Sequence, residues 1–464
     1  MVKFAPVKFQ LKLVFNFIIM SNNIVLKRGL DIPINGMAAQ ETVKTVKPGI
    51  IAIKPTDFKG LLPRLLVREG DKVLAGSPVM ADKKCTDILL TSPVSGTVAE
   101  VVRGDKRKLL EVRIQADEAQ EYVDFGAQKP ASADGVKELL LKSGLWASLI
   151  QRPYGIIADP QAKPKAIFIS AFNTAPLAAD TEFTLASEIE AIQAGVDALA
   201  KLAPVHVSVN SAASAFAKLQ NATIHTVTGK HPAGNVGIQI ANISHIRKEE
   251  TVWTAALPFA AAIGKLIKTG KLDLTRKVAV TGPAAVSPAY VDAMPGVAMK
   301  DLESFYAGAE NIRIVSGDVL TGKTVGAEGY LGFFDTQVSI LKEGNTHELL
   351  GWARPLRLNQ FSSTRSYFSW LCPKKKYDMD TNLHGGPRAF LMSDSFYGDV
   401  LPMDIFPLYL TKACLAGDIE KMEKFGIYEV LPEDLALCEF VDPSKNYIQD
   451  IIAKGIDLML KEMA

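Results

Sequence analysis

The sequence predicts an α/β chain of several domains. A small β-rich barrel or sandwich comes first, then a parallel sheet with helices between its strands. A strand-turn-helix-strand insert and a helical tail follow. Three observations carry this. Turn signals break short β-prone runs at regular intervals over 66–101. Apolar runs of strand length alternate with helical periodicity over 166–227. Apolar residues recur at helical steps over 405–415 and again over 447–460. The 464 residues correspond to about three domains at ~150 residues each.

Composition narrows the function classes. Lys+Arg is 52 and Asp+Glu 50, a net charge of +2, without the basic excess of a nucleic-acid binder. Cys85, Cys372, Cys414 and Cys438 are scattered, which excludes a disulfide scaffold and any Cys-x-x-Cys metal site. The most hydrophobic uncharged stretch, 251–264, is shorter than a membrane span and contains Pro258. Residues 1–20 hold Lys3, Lys8 and Lys12 ahead of an apolar run, and Met20 precedes a polar start. They read as a start-site extension and not as a signal peptide, because no small-residue cleavage site follows.

The first domain is expected over 21–128. Residues 66–80 (LVREGDKVLAGSPVM) and 91–101 (TSPVSGTVAEV) each place a turn before a Val-rich strand. This stretch resembles the biotinyl/lipoyl carrier domain, with Lys83 and Lys84 near the tip where carriers hold a modified lysine. Cys85-Thr86-Asp87 lengthens that tip and Met-Lys-Met is missing, so the fold is expected without the carrier role.

The second domain is expected over 129–270, with strands at 166–170, 205–209 and 223–227 and helices at 184–203 and 212–219. That alternation signals a Rossmann-like, doubly wound sheet. A dinucleotide site needs glycines after the first strand, yet Ala171 to Pro176 contains none. The glycine cluster of 229–237 (GKHPAGNVG) lacks the P-loop order and reads as a loop. His225, His231 and His245 lack metal spacing and read as surface or capping residues.

A third module, 271–372, has strands at 278–281 and 312–316 around a turn and short helix. It resembles the soluble-ligand-binding β-grasp (SLBB-like) module of electron-transfer proteins. The helical tail is expected over 373–464. Lys374, Lys375 and Lys376 form a basic run, a candidate contact for a partner or an anionic membrane surface. In DLALCEFVDP, Cys438 and Pro443 keep the end of a bacterial ferredoxin pattern. Pro432, Leu435 and Asp442 stand at its other positions, so the tail resembles a ferredoxin domain without its cluster.

In this order the four parts resemble the NqrA family of the sodium-translocating NADH:quinone reductase. NIVLKRGLDIP (23–33), SGLWASLIQRP (143–153), SAFNTAPLAAD (170–180), residues 404–410 and DLALCEFVDP (434–443) carry the resemblance. Related flavin-bearing proteins, of the Rnf complex and of complex I, carry a Gly-rich flavin loop. Lys142-Ser143-Gly144-Leu145-Trp146-Ala147 stands there in this chain, with one glycine. The resemblance implies a peripheral component on the cytoplasmic face of the bacterial inner membrane. Its partners would be the five other components of the complex, B to F, chiefly B, which lies in the membrane. FMN, FAD, riboflavin and iron–sulfur would belong to those partners and no cofactor to this chain. The remaining roles are assembly and quinone binding. His384 and Arg388, in LHGGPR, are the candidate quinone contacts. The alternative is a soluble nucleotide- or flavin-binding component of the Rnf or complex I type.

Overall fold

The computed structural model describes residues 23–127, 129–345, 357–365, 367–382 and 394–462. His384 and Arg388 therefore lie outside the described residues.

A seven-stranded sheet forms the centre. Its order is Asn23–Val25, Thr223–Thr228, Val205–Val209, Ile167–Ser170, Val252–Thr254, Ile150–Arg152 and Ile156–Ile157. The first five strands run parallel, and the last two add antiparallel. Side-chain alternation divides the strand Ile167–Ser170 between two cores. Ile167 and Ile169 join Ile192, Val196, Phe259 and Ile263 on one face. Phe168 meets Ile240 and Ile243 of the helix Val236–Ile243 on the other. The helices Ile189–Leu199 and Leu257–Thr269 touch backbone to backbone. A Cβ on Gly195 would lie 1.9 Å from the Ala260 carbonyl oxygen, and one on Gly264 1.8 Å from that of Ala191. The continuous helix expected over 184–203 is instead Thr181–Leu185, a tight turn Ala186–Glu188, and Ile189–Leu199. Asp180 starts the first piece by accepting the Glu182 and Phe183 amides.

Two small antiparallel sheets make the β-rich unit. One orders Ile50–Ile53, Leu109–Ala116, Gly96–Arg103 and Lys72–Val73. The other orders Pro63–Leu65, Pro78–Asp82 and Leu89–Thr91. Ile51, Val79, Val94, Val112 and Ile114 fill the space between them.

The segment before Ile50 pairs with strands outside the two small sheets. Asn23–Val25 pairs in parallel with Thr223–Thr228, and Ala39–Thr45 pairs with Ala289–Ala293. Each covers a sheet edge whose N–H and C=O groups would otherwise face solvent. The third sheet is thereby six-stranded: Lys323–Thr324, Ile312–Ser316, Gln337–Lys342, Arg276–Thr281, Ala289–Ala293 and Ala39–Thr45.

The tail is helical at Asp394–Val400, Pro407–Ala416, Ile419–Phe425, Ala436–Val441 and Ile448–Glu462. Its core holds Leu410, Met422, Leu435, Cys438 and Ile452. No helix among the described residues is long and apolar enough to cross a membrane.

Candidate functional site: a cleft where three sheets meet

A small apolar cleft, open to solvent, lies where the β-rich unit, the turn at Ser143–Leu145 of the α/β domain and the third sheet converge. Its walls are Phe58, Leu90, Leu145, Leu274 and Phe333, with Lys54 and Asp57 at one side. The rings of Phe58 and Phe333 lie 4.8 Å apart, and Phe259 stacks on Phe333 at 5.0 Å. Its lining is mostly apolar with a few convergent polar groups.

The polar side is braced from behind. Lys54 Nζ donates to the Tyr330 carbonyl at 2.9 Å and lies 3.8 Å from Asp57. Asp57 accepts the Phe333 amide at 2.9 Å and faces Lys323 at 3.5 Å. Behind it, Asp335 accepts the Ser316 hydroxyl at 2.5 Å. Burial pushes the Asp335 carboxyl above the usual carboxylate range, and the charge of Asp57 adds to that push. Arg276 donates to the Phe333 and Asp335 carbonyls at 2.7 and 2.8 Å. Burial lowers its guanidinium to about 10.

The turn 142–147 forms one wall. Gly144 ends the helix Ala133–Ser143 at φ 79°, and a Cβ there would lie 2.5 Å from Thr91 Oγ1. That hydroxyl donates to the Ser143 carbonyl at 2.9 Å. Leu145 and Trp146 turn inward and are buried. The Trp146 indole donates to the Ala158 carbonyl at 2.8 Å and packs edge-on against Trp253 at 5.3 Å. Side chains thus occupy the space beside this backbone.

The crevice at the carboxyl ends of the parallel strands is covered by the chain itself. The glycine cluster folds over the 173–174 loop, and the Gly234 amide donates to Thr174 Oγ1 at 2.9 Å. Ser170 Oγ accepts from Gln239 at 2.8 Å and donates to the Phe172 and Gly234 carbonyls.

The histidine expectation needs correction. His245 is exposed, 3.0 Å from Glu429. His231 is buried, its Nδ1 3.2 Å from Thr174 Oγ1. His225 is buried and hydrogen-bonded at 2.9 Å to His206, which stacks on Phe168. His206 and His225 sit on neighbouring strands and turn to one sheet face, a placement irregular spacing along the chain conceals. Burial lowers His225 to about 4, with the His206 ring second.

Lys83 and Lys84 are exposed at the tip after Pro78–Asp82. Cys438 is fully buried, which pushes its thiol well up. Leu435 is core, and Asp442 accepts the Asn446 amide at 2.8 Å. No cluster of three or more metal-binding side chains occurs among the described residues. Arg152 binds Asp434 at 2.7 Å and Glu433 at 2.8 Å, fastening the tail to the seven-stranded sheet. Burial draws the Arg152 pKa down, but the two carboxylates outweigh it and hold it above its ordinary value. Sequence reasoning missed Lys54, Asp57 and the Arg152 cluster. No local motif joins residues more than 250 positions apart.

Fold and site define a class: a multidomain α/β chain with an apolar interdomain cleft and a crevice at its parallel strand ends that the chain itself covers. Three family models match in order: the NqrA N-terminal barrel-sandwich hybrid domain over 24–117, the NqrA second alpha/beta domain over 131–272, and the NQRA C-terminal domain over 277–327. The chain belongs to the NqrA family of the Na(+)-translocating NADH-quinone reductase. The NqrA protein of Cellvibrio japonicus is 37% identical over 441 residues, covering 93% of this chain and 98% of that one. The NqrA protein of Serratia proteamaculans is 36% identical, covering 93% and 99%. An air-oxidized NAD+-reducing [NiFe]-hydrogenase matches at TM-score 0.34 and 14% identity over 46% of this chain and 47% of that one, too low a likeness to carry argument.

Proposed function

We propose that the chain is a peripheral component of a membrane NADH:quinone reductase that pumps Na+ out of the cell, and that it carries no redox group itself. Its partners are the five other components, B to F, chiefly B, which lies in the membrane. Its place is the cytoplasmic face of the bacterial inner membrane. FMN, FAD, riboflavin and iron–sulfur reside in those partners. The observation that carries this reading is the inward packing of Leu145 and Trp146 in a chain that matches its family over nearly full length. A flavin needs backbone and open space at that turn, and an indole fills it.

The finer fold follows the same reading. The N-terminal unit is lipoyl-like without a carrier arm, the third sheet is a β-grasp module, and the tail is a ferredoxin frame without its cluster. The cleft beside Lys54 and Asp57 supports a second role, quinone binding. A quinone ring is planar and apolar with carbonyl acceptors, and the cleft offers aromatic walls and one ammonium donor.

The test is a tagged pull-down from gently solubilised membranes. Recovery of five partners in equal amounts, with no flavin absorbance from the chain purified alone, is the expected result. Recovery of the chain alone from the soluble fraction overturns it. Tightly bound flavin in the isolated chain would favour the Rnf- or complex I-type alternative.

A further inference from the structure

Residues 357–377 (RLNQFSSTRSYFSWLCPKKKY) contain five cations and no Asp or Glu. In a chain with a net charge of only +2 this is a concentrated positive stretch. Four of its large apolar side chains face outward. Leu358 is 52% exposed, Trp370 49% and Leu371 57%, and Phe368 is exposed beside them.

The local structure explains the display. In the tight turn Phe368–Leu371, Ser369 points inward, and its hydroxyl accepts the Ser362 amide at 3.1 Å. Burying Ser369 turns its neighbours Phe368 and Trp370 out. Lys375 closes the stretch on itself, donating to the Leu358 carbonyl and to Asn359, both at 2.8 Å. Leu358 is thereby tethered near the lysine run. Tyr377 anchors the stretch to the body: its amide donates to the Pro33 carbonyl at 2.8 Å, and its carbonyl accepts from Asn35. Arg365 lies 5.6 Å from the Trp370 ring. Arg357 is buried over Tyr367 and takes no part in the outer surface. The outer face therefore presents Leu358, Phe368, Trp370 and Leu371, with Arg365, Lys374 and Lys376 exposed in the same stretch.

We propose that this face seats on an anionic lipid surface, with Trp370 and Leu371 at headgroup depth and Lys374, Lys376 and Arg365 against lipid phosphates. Charge complementarity favours this occupant. Lysine is depleted at protein–protein interfaces, whereas Lys and Arg beside interfacial Trp are the make-up of a membrane-surface contact. Long lysine stems lie along apolar surface and keep their charge at the headgroups. A second exposed apolar cluster, at Phe406, Tyr409 and Leu415, has Asp404, Asp418 and Glu420 nearby in sequence and lacks the charge for such a surface. The proposal deepens the peripheral reading and rests on it for location alone.

The experiment is sedimentation of the purified full-length chain with phosphatidylcholine vesicles, with and without phosphatidylglycerol. Binding is expected only with phosphatidylglycerol, and it should fall as salt rises. Each cation lost should weaken it about fivefold, so Lys374→Gln with Lys376→Gln should cost about 25-fold. The parent's tryptophan emission should shift blue on binding, and Trp370→Phe should abolish that shift. Trp370→Ser with Leu371→Ser should also lose binding. All these variants alter exposed side chains and should melt with the parent. Absence of binding overturns the proposal, as does binding that none of these variants changes. If vesicle binding is absent while the partners are still pulled down, lipid contact fails and the proposed place in the complex stands. If vesicles bind and no partner is recovered, the place in the complex fails alone. Should the variants lose only partner recovery, the face belongs to a protein.

Discussion

Two joints of the molecule differ in that one adds buried charge to its apolar contact and the other does not. The tail meets the seven-stranded sheet through buried charge set in a shared apolar core: Arg152 lies between Asp434 and Glu433, Leu431 donates its amide to Asp434, and Phe172, Val227 and Ile238 pack in one cluster with Leu431 and Leu435. The β-rich unit meets the other two sheets through apolar walls and a close backbone approach at Gly144, and it leaves a cleft. Ion pairs demand geometry, so the first joint is closed and directional. Apolar contact is non-directional and tolerates a gap, so the second can hold a guest. The molecule thus separates a fixed joint from a receptive one.

The largest effect should come from breaking the fixed joint. Arg152→Met strands a buried carboxylate at Asp434 and should cost about 3–5 kcal/mol in urea unfolding. Adding Asp434→Asn keeps an acceptor for Leu431 and removes the stranded charge. That double variant should regain most of the loss. If the single variant costs under about 1 kcal/mol, the joint is not held by charge.

The receptive joint should respond to shape. Gly144→Ala forces a Cβ into Thr91 at a left-handed φ and should cost about 1–3 kcal/mol by the same unfolding measurement. Thr91→Ala in the same chain should remove the clash and leave only the backbone strain. Equal losses with and without Thr91 would locate the cost in backbone conformation alone.

A titration that lies in neither joint supplies the reference. His225 is held near 4 in the folded chain against 6.5 for the free side chain. The unfolded state therefore binds more protons between those values, so stability falls as pH drops from 6.5 towards 4. By pH 5 the loss from this group should reach up to about 2 kcal/mol. Replacing the pair, His206→Phe with His225→Leu, should flatten that slope while the penalty of Arg152→Met persists. An unchanged slope would place the titration elsewhere.

What the sequence revealed was local. The strands at 167–170 and 205–209 and the last helix were legible because periodicity and turn residues act within a few positions. The pairings of Asn23–Val25 and Ala39–Thr45 were not legible, because strand pairing with partners about 200 and 250 positions away leaves no local trace. The same holds for the site. The single glycine at Gly144 beside Leu145 and Trp146 could be read directly, but the inward packing of those two side chains and the cleft beside them could not. Lys54 and Asp57 follow the strand Ile50–Ile53 and Phe333 precedes the strand Gln337–Lys342, and only the fold brings them together. The histidines failed for the same reason. His206 and His225 pair across strands, and each looks solitary in the chain.

The smallest stability effect, and the sharpest test of the receptive joint, is expected at Lys54. Its ammonium meets the Tyr330 carbonyl and Asp57, while Asp57 keeps the Phe333 amide and Lys323 as partners. Lys54→Met therefore leaves no stranded charge, and the methionine stem can lie against Phe58 and Phe333. The stability cost should stay near 1 kcal/mol. A short-chain quinone that uses the cleft loses its charged donor and should bind about tenfold more weakly in a fluorescence titration, since hydrogen bonds to charged groups contribute about 1.5–3 kcal/mol. Phe333→Leu should weaken it through lost ring contact without changing any charge. If Lys54→Met and Phe333→Leu both bind the quinone as the parent does, the cleft is a packing gap between domains, and the contrast between the two joints reduces to one of stability.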